Sequence, residues 1–207
     1  MSIKAVVFDY GGVISYPPSE TAVKELENLT GLSAAHLDEL NRKYRREYDR
    51  GAYNGEEYFQ HILSSAGIFL DKTSLWKIAQ TDMDGWKQIN PDTIQLIHDI
   101  KRTGVKVGIL SNMPIDFLVW ARDHIQIFRE VDTAIFSCEH YVVKPEIEIF
   151  EKLKDELKLS FEETALFDDA GDNITKACSL GIQGFLWPGP DIARVTLKKT
   201  EPVFKNL

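Results

Sequence analysis

The chain has 207 residues, enough for one sizeable hydrophobic core or for a core with a smaller inserted domain. With 43% hydrophobic and 27% charged residues it has the composition of an ordinary soluble globular protein, and its net charge of -8 argues against wrapping nucleic acid or an anionic membrane, both of which would repel it. A small phosphorylated partner stays compatible with that charge, because a local cation can invert the field at one site.

In chain order, Lys4–Phe8 is a compact apolar strand ending at Asp9. Residues 16–87 then show only helical patterns, over Glu20–Leu29, Ala34–Asp49, Glu56–Ala66 and Thr73–Asp82. Ser19 and Ser33 are candidate N-caps, and Gly31, Gly51 and Gly67 candidate stops. From residue 88 onward, strands and helices alternate. Strands are predicted over Val105–Leu110, Thr133–Phe136, Thr164–Phe167 and Ile182–Trp187, all expected to be buried on both faces. Helices are predicted over Asp92–Arg102, Pro114–Ile127, Pro145–Leu159 and Asp172–Leu180. This alternation predicts an α/β fold, a Rossmann-like parallel sheet core of residues 1–15 and 88–207, with an all-helical cap inserted at 16–87. Such a cap would lie over the strand ends, where open α/β sheets bind ligands.

Polar residues follow four of the five strands: Asp9, Ser111-Asn112, Ser137 with Lys144 beyond it, and Asp168-Asp169. In a parallel sheet these ends converge on one edge. Three carboxylates brought together repel one another, and a divalent cation resolves the conflict. Magnesium suits few carboxylates, backbone carbonyls and phosphate oxygens, and Lys144 with Ser111 and Asn112 would hold a phosphate-like group against it.

The order FDYGGVI, ILSN, KPEIEIF, LFDD resembles the haloacid dehalogenase superfamily over the whole chain. The form FDYGGVI with FDDAGDNITKA is similar to the branch holding sugar-1-phosphate phosphatases and the phosphatase domain of epoxide hydrolases. The resemblance implies a magnesium-dependent phosphatase of small phosphorylated metabolites, sugar phosphates in particular. It makes Asp9 the nucleophile that forms an aspartyl-phosphate, Ser111 and Asn112 the binders of the transferring group, and Lys144 the neutralising cation. Asp9, the backbone carbonyl of Gly11, Asp168 and Asp169 would hold magnesium, with Asp172 and Asn173 orienting those ligands.

Two positions depart from the pattern. Phosphatases of the superfamily usually carry an acid–base Asp two residues after the nucleophile, where this chain has Gly11, so the proton donor is missing. The branch often has Gly where this chain has Tyr141. Gly11 keeps two rivals in view: a dehalogenase or phosphonatase on the same scaffold, and a catalytically weak binding or regulatory protein. In the cap, Tyr44, Arg45, Arg46, Tyr48, Asp49, Arg50, Tyr53 and Tyr58 form a basic-aromatic patch. It reads either as a solvated helix face with Tyr stems packed inward or as a substrate-selecting wall, with Arg50 the best candidate contact. Trp76 and Trp86 read as cap-core or hinge packing. Two cysteines, neither in a metal-binding pattern, and no signal-peptide layout suggest a reducing cytoplasm. A monomer or a homodimer fits equally.

Overall fold

A computed structural model describes residues 2–207. Five strands form one wholly parallel sheet in the order β3-β2-β1-β4-β5: β1 Ala5–Phe8, β2 Lys106–Ser111, β3 Thr133–Phe136, β4 Thr164–Asp168 and β5 Gln183–Leu186. The chain leaves β1 towards β2 and β3 on one side, then crosses to β4 and β5 on the other. The reversal therefore falls beside β1, the place where open α/β sheets form their ligand crevice.

Alternating side chains of the central strands feed two apolar layers. Val6, Phe8, Val107, Ile109, Ala165 and Phe167 pack on one face against α5 (Pro91–Arg102), α6 (Ile115–His124) and α11 (Pro190–Thr200). Ala5, Val7, Leu110 and Leu166 pack on the other against α9 (Ile147–Leu157) and α10 (Gly171–Ser179). β1 is buried at every residue, as its continuous apolar run requires. β5 is not: it is one of the two edge strands, and Leu186 is 58% exposed, which corrects the expectation that all five strands are covered on both faces. The helix expected over 114–127 is also interrupted. Ile125 takes an extended conformation and enters the core, and a short α7 (Ile127–Glu130) restarts beyond it.

Between β1 and α5 lie α1 (Glu20–Thr30), α2 (Ala34–Asp49), α3 (Gly55–Ser65) and α4 (Lys72–Gly85). They share a separate core that includes Leu37, Leu40, Tyr58, Phe59, Ile62, Leu75 and Ile78. Ser19 and Ser33 cap α1 and α2 as expected, with Asn54 and Asp71 doing the same for α3 and α4. The two connections between this bundle and the sheet run side by side. Ser15 and Ile89 form an antiparallel bridge, and the Tyr16 and Asn90 amides donate to the Gln88 and Ile14 carbonyls. Among the described residues, no helix is long and apolar enough to cross a membrane.

Candidate active site

Asp9 follows the last residue of β1, and its amide donates to the Phe167 carbonyl at 2.9 Å, which seats it beside the end of β4. Asp168 closes β4 and is fully buried. Lys144 comes from the loop before α9, and its ammonium, with a side chain 0% exposed, meets three acceptors: Leu110 O at 2.7 Å, Asp168 Oδ2 at 2.6 Å and Asp9 Oδ1 at 3.0 Å. Three donors and three acceptors leave that ammonium fully satisfied. Asp168 also accepts from the Ala170 amide at 2.8 Å and from Asn173 Nδ2 at 3.0 and 3.1 Å.

Carboxylate oxygens of Asp9, Asp168 and Asp169 lie within 4.8 Å of one another. Burial pushes the Asp9 carboxyl up to about 7; Lys144 opposes the rise, Asp168 and Asp169 add to it, and the Ser111 hydroxyl lowers it slightly. Burial, then Asp168, likewise raises Asp169. One ammonium against three carboxylates leaves two negative charges to be met. An all-oxygen donor set with that charge suits a hard divalent cation such as magnesium, which favours carboxylates at partly solvated sites. Asp169, the exposed member, leaves such a path open. The turn after Asp9 is shaped to admit it: Gly12 has φ +71°, and a Cβ there would stand 2.6 Å from Asp169 Oδ2.

The other anticipated residues differ in their placement. Ser111 is buried beside Asp9 as expected. The Asn112 side chain is instead taken up by the Lys144 peptide: its Oδ1 accepts from Lys144 N at 2.7 Å and its Nδ2 donates to Lys144 O at 3.0 Å. Asn112 thus positions the lysine. Asp172 is exposed in the first turn of α10 and makes none of the hydrogen bonds that hold Asp168. Arg50, the anticipated cap contact, is paired elsewhere. Its guanidinium donates to Glu146 Oε1 at 2.6 Å and to the Tyr141 carbonyl at 2.8 Å, fastening α2 to the loop that carries Lys144. Ser137 Oγ, at the end of β3, donates to the Asp49 carbonyl and accepts from the Met113 amide, a second tie between bundle and sheet. Tyr141 has φ +56° and is 69% exposed, a left-handed position that the Gly expected from the resemblance would adopt without strain.

A cavity opens between the sheet end and the helical bundle. Its floor includes Tyr10, Gly11 and Asn112, and its upper wall Arg45, Tyr48, Asp82, Met83 and Trp86. Within the basic-aromatic patch, Tyr48 and Tyr58 are wholly buried and stacked, Arg46 and Arg50 turn to Glu146, and only Arg45 and Tyr48 reach this cavity. Trp86 packs at the hinge as read, whereas Trp76 is 53% exposed. Sequence reasoning missed Asp82. Its only signal is an acidic residue late in an otherwise half-apolar helix.

The sequence profile of the haloacid dehalogenase-like hydrolases matches residues 3–177. The chain belongs to that family. It is 27% identical over 195 residues to the phosphatase MT3486 of Mycobacterium tuberculosis, covering 90% of this chain and 88% of that protein. It is 23% identical to the sesquiterpene phosphatase astK of Aspergillus oryzae, covering 88% and 89%. It is 25% identical to bifunctional epoxide hydrolase 2 of Sus scrofa, covering 98% of this chain but 40% of that protein. Among solved structures, the HAD family enzyme bt-2542 of Bacteroides thetaiotaomicron superposes with a TM-score of 0.73 at 19% identity, over 89% of this hydrolase and 93% of that chain. At that identity the likeness speaks for the fold.

Proposed function

We propose that this hydrolase is a magnesium-dependent phosphomonoesterase of small phosphorylated metabolites, with Asp9 as its nucleophile. The observation that carries the reading is the meeting of Asp9, Asp168 and Asp169 around the fully buried Lys144 ammonium. Relatives over most of the chain length bear the name phosphatase, and the structural neighbour bt-2542 has been solved with magnesium and inorganic phosphate. Asp9, Asp168 and Asp169, with the Gly11 carbonyl, are the groups that would hold magnesium, whose positive charge would draw a phosphate dianion into an acidic site and stabilise charge on its oxygens.

The remaining chemistry belongs to the chain. Lys144 keeps Asp9 oriented and offsets its charge, while Asn112 keeps Lys144 in place from both sides of its peptide. The buried Ser111 hydroxyl lies where it can donate to a phosphoryl oxygen once that group meets Asp9. Attack of the Asp9 carboxylate on phosphorus expels the alcohol and leaves an aspartyl-phosphate, which water then hydrolyses. The bundle at residues 16–87 acts as a cap that encloses the substrate in the cavity and limits water. Sugar phosphates are the favoured substrates, the finer part of this reading. The test is phosphate release from a panel of phosphorylated metabolites with and without magnesium, beside a halide-release assay. Magnesium-dependent phosphate release by the parent, absent in Asp9→Asn, supports the reading. Halide release without magnesium, or turnover by Asp9→Asn equal to the parent, overturns it.

A further inference from the structure

Gly11 leaves the site without the carboxyl that would protonate an alcohol leaving group, and the ring of Trp86 lies 3.4 Å from where its Cβ would be. An unprotonated alkoxide leaves poorly, so a proton has to come from another element. The cavity bordered by Gly11 and Asn112 is completed by α2 and α4, and three charges meet in that wall. Arg45 Nε donates to Asp49 Oδ1 at 2.8 Å. Asp82 Oδ2, by contrast, stands 3.9 Å from Arg45 Nη1, and its carboxyl makes no side-chain hydrogen bond among the described residues. One guanidinium therefore serves two carboxyls whose side chains are only 11% and 14% exposed. Its hydrogen bond goes to Asp49, and Asp82 is the carboxyl of the pair left without one. Burial lifts the Asp82 carboxyl above its ordinary range, Arg45 opposes the rise, and Asp49 adds to it. Tyr48, another wall of the same cavity, is wholly buried with a hydroxyl that has no hydrogen-bond partner, so this wall holds a further polar group unmatched by the protein itself.

We propose that Asp82, on the cap helix α4, is the general acid–base residue that position 11 does not supply. The inference rests on the phosphoester reading above. As Asp9 attacks phosphorus and the bond to the alcohol oxygen breaks, that oxygen takes the Asp82 proton and departs as a neutral alcohol. The Asp82 carboxylate then accepts a proton from the water that attacks the aspartyl-phosphate. The phosphorus–Asp9 bond breaks, and phosphate leaves with both carboxyls restored. The donor arrives with the cap, so bond cleavage awaits closure over a substrate.

The test compares kcat/KM for 4-nitrophenyl phosphate, whose phenolate leaves unaided, with kcat/KM for an alkyl phosphate. Asp82→Asn is expected to lower the alkyl value by about 10²- to 10⁴-fold. The nitrophenyl value is expected to stay within about threefold of the parent, because little proton transfer is needed in that step. With the nitrophenyl ester the variant gives a burst of one phenolate per enzyme followed by slow turnover, since water activation is also lost. Asp82→Glu keeps a carboxyl and stays closer to the parent ratio. In the parent alone, which bypasses any folding defect of the variants, kcat/KM depends only weakly on leaving-group basicity. Equal losses on both esters without a burst, or a steep leaving-group dependence already in the parent, overturns the assignment. If the parent hydrolyses no phosphate ester at all, it is the phosphatase reading that fails.

Discussion

Lys144 is the residue on which the charge balance of the site turns. Removing it leaves Asp9 and Asp168 buried against each other, and losing one partner of a buried ion pair costs about 3–5 kcal/mol. Lys144→Met is therefore expected to lower the metal-free melting temperature, and magnesium is expected to recover more of it than it adds to the parent; thermal melts with and without the ion check both. Gly12 is constrained twice over, by its left-handed backbone and by Asp169 Oδ2 at 2.6 Å from a would-be Cβ. Gly12→Ala should cost about 1–2 kcal/mol from the backbone alone. It should also displace Asp169 and weaken magnesium binding, which calorimetric titration reads. Tyr141 carries the opposite expectation: Tyr141→Gly relieves an exposed left-handed residue and should stabilise by about 1 kcal/mol in a denaturant titration. Residues such as Asp9 and Asp168 were legible in the chain because an apolar run that ends in Asp announces both a buried strand and its exit. The roles of Asn112, Asp172 and Arg50 were not legible, since each depends on which neighbour the folded loops bring within hydrogen-bond reach.

At the scale of elements, Glu146 joins the loop before α9 to the cap. Burial alone would raise its carboxyl, but hydrogen bonds from Arg50, Arg46 and the Val143 amide outweigh that and hold it down to about 2. A carboxyl lowered from 4.5 contributes stability that is present above pH 4.5 and is lost as pH falls towards 2. The gap in melting temperature between the parent and Glu146→Gln should therefore be widest near neutrality and shrink on acidification below pH 4.5. A gap unchanged between neutral and acid solution would show that the pair contributes nothing. The cap helices were readable because Ser19 and Ser33 start them and leucines and tyrosines recur along their inner faces. α11 was not anticipated. Ala193 and Leu197 sit one helical turn apart, but Ile192 and Val195 on the outer face are 58% and 48% exposed and blur the pattern. The exposure of β5 depends on its place at the edge of the sheet, which no local pattern records.

For the whole molecule, a parallel sheet whose order reverses beside β1 sets two acidic strand ends next to each other and suspends a helical bundle above them. This sheet-and-cap plan follows from the alternation of short apolar runs and helical patterns, broken once by a purely helical stretch. What did not follow was the content of the cavity. Its walls come from helices far apart in sequence, and Asp82 gains meaning only where it borders the same cavity as Gly11. On the proposed reading magnesium would bind the folded site and not the dispersed carboxylates of the unfolded chain, so the ion should raise the melting temperature in proportion to the logarithm of its concentration, and Asp169→Asn should blunt that response. The most direct test of the central claim is to quench the enzyme in acid during turnover of a phosphate ester with magnesium, then map the phosphoryl group by mass spectrometry. A phosphoryl group on the peptide that carries Asp9, lost in Asp9→Asn, is the predicted result. Sustained phosphate release with no label on that peptide, or release undiminished in Asp9→Asn, would contradict the account.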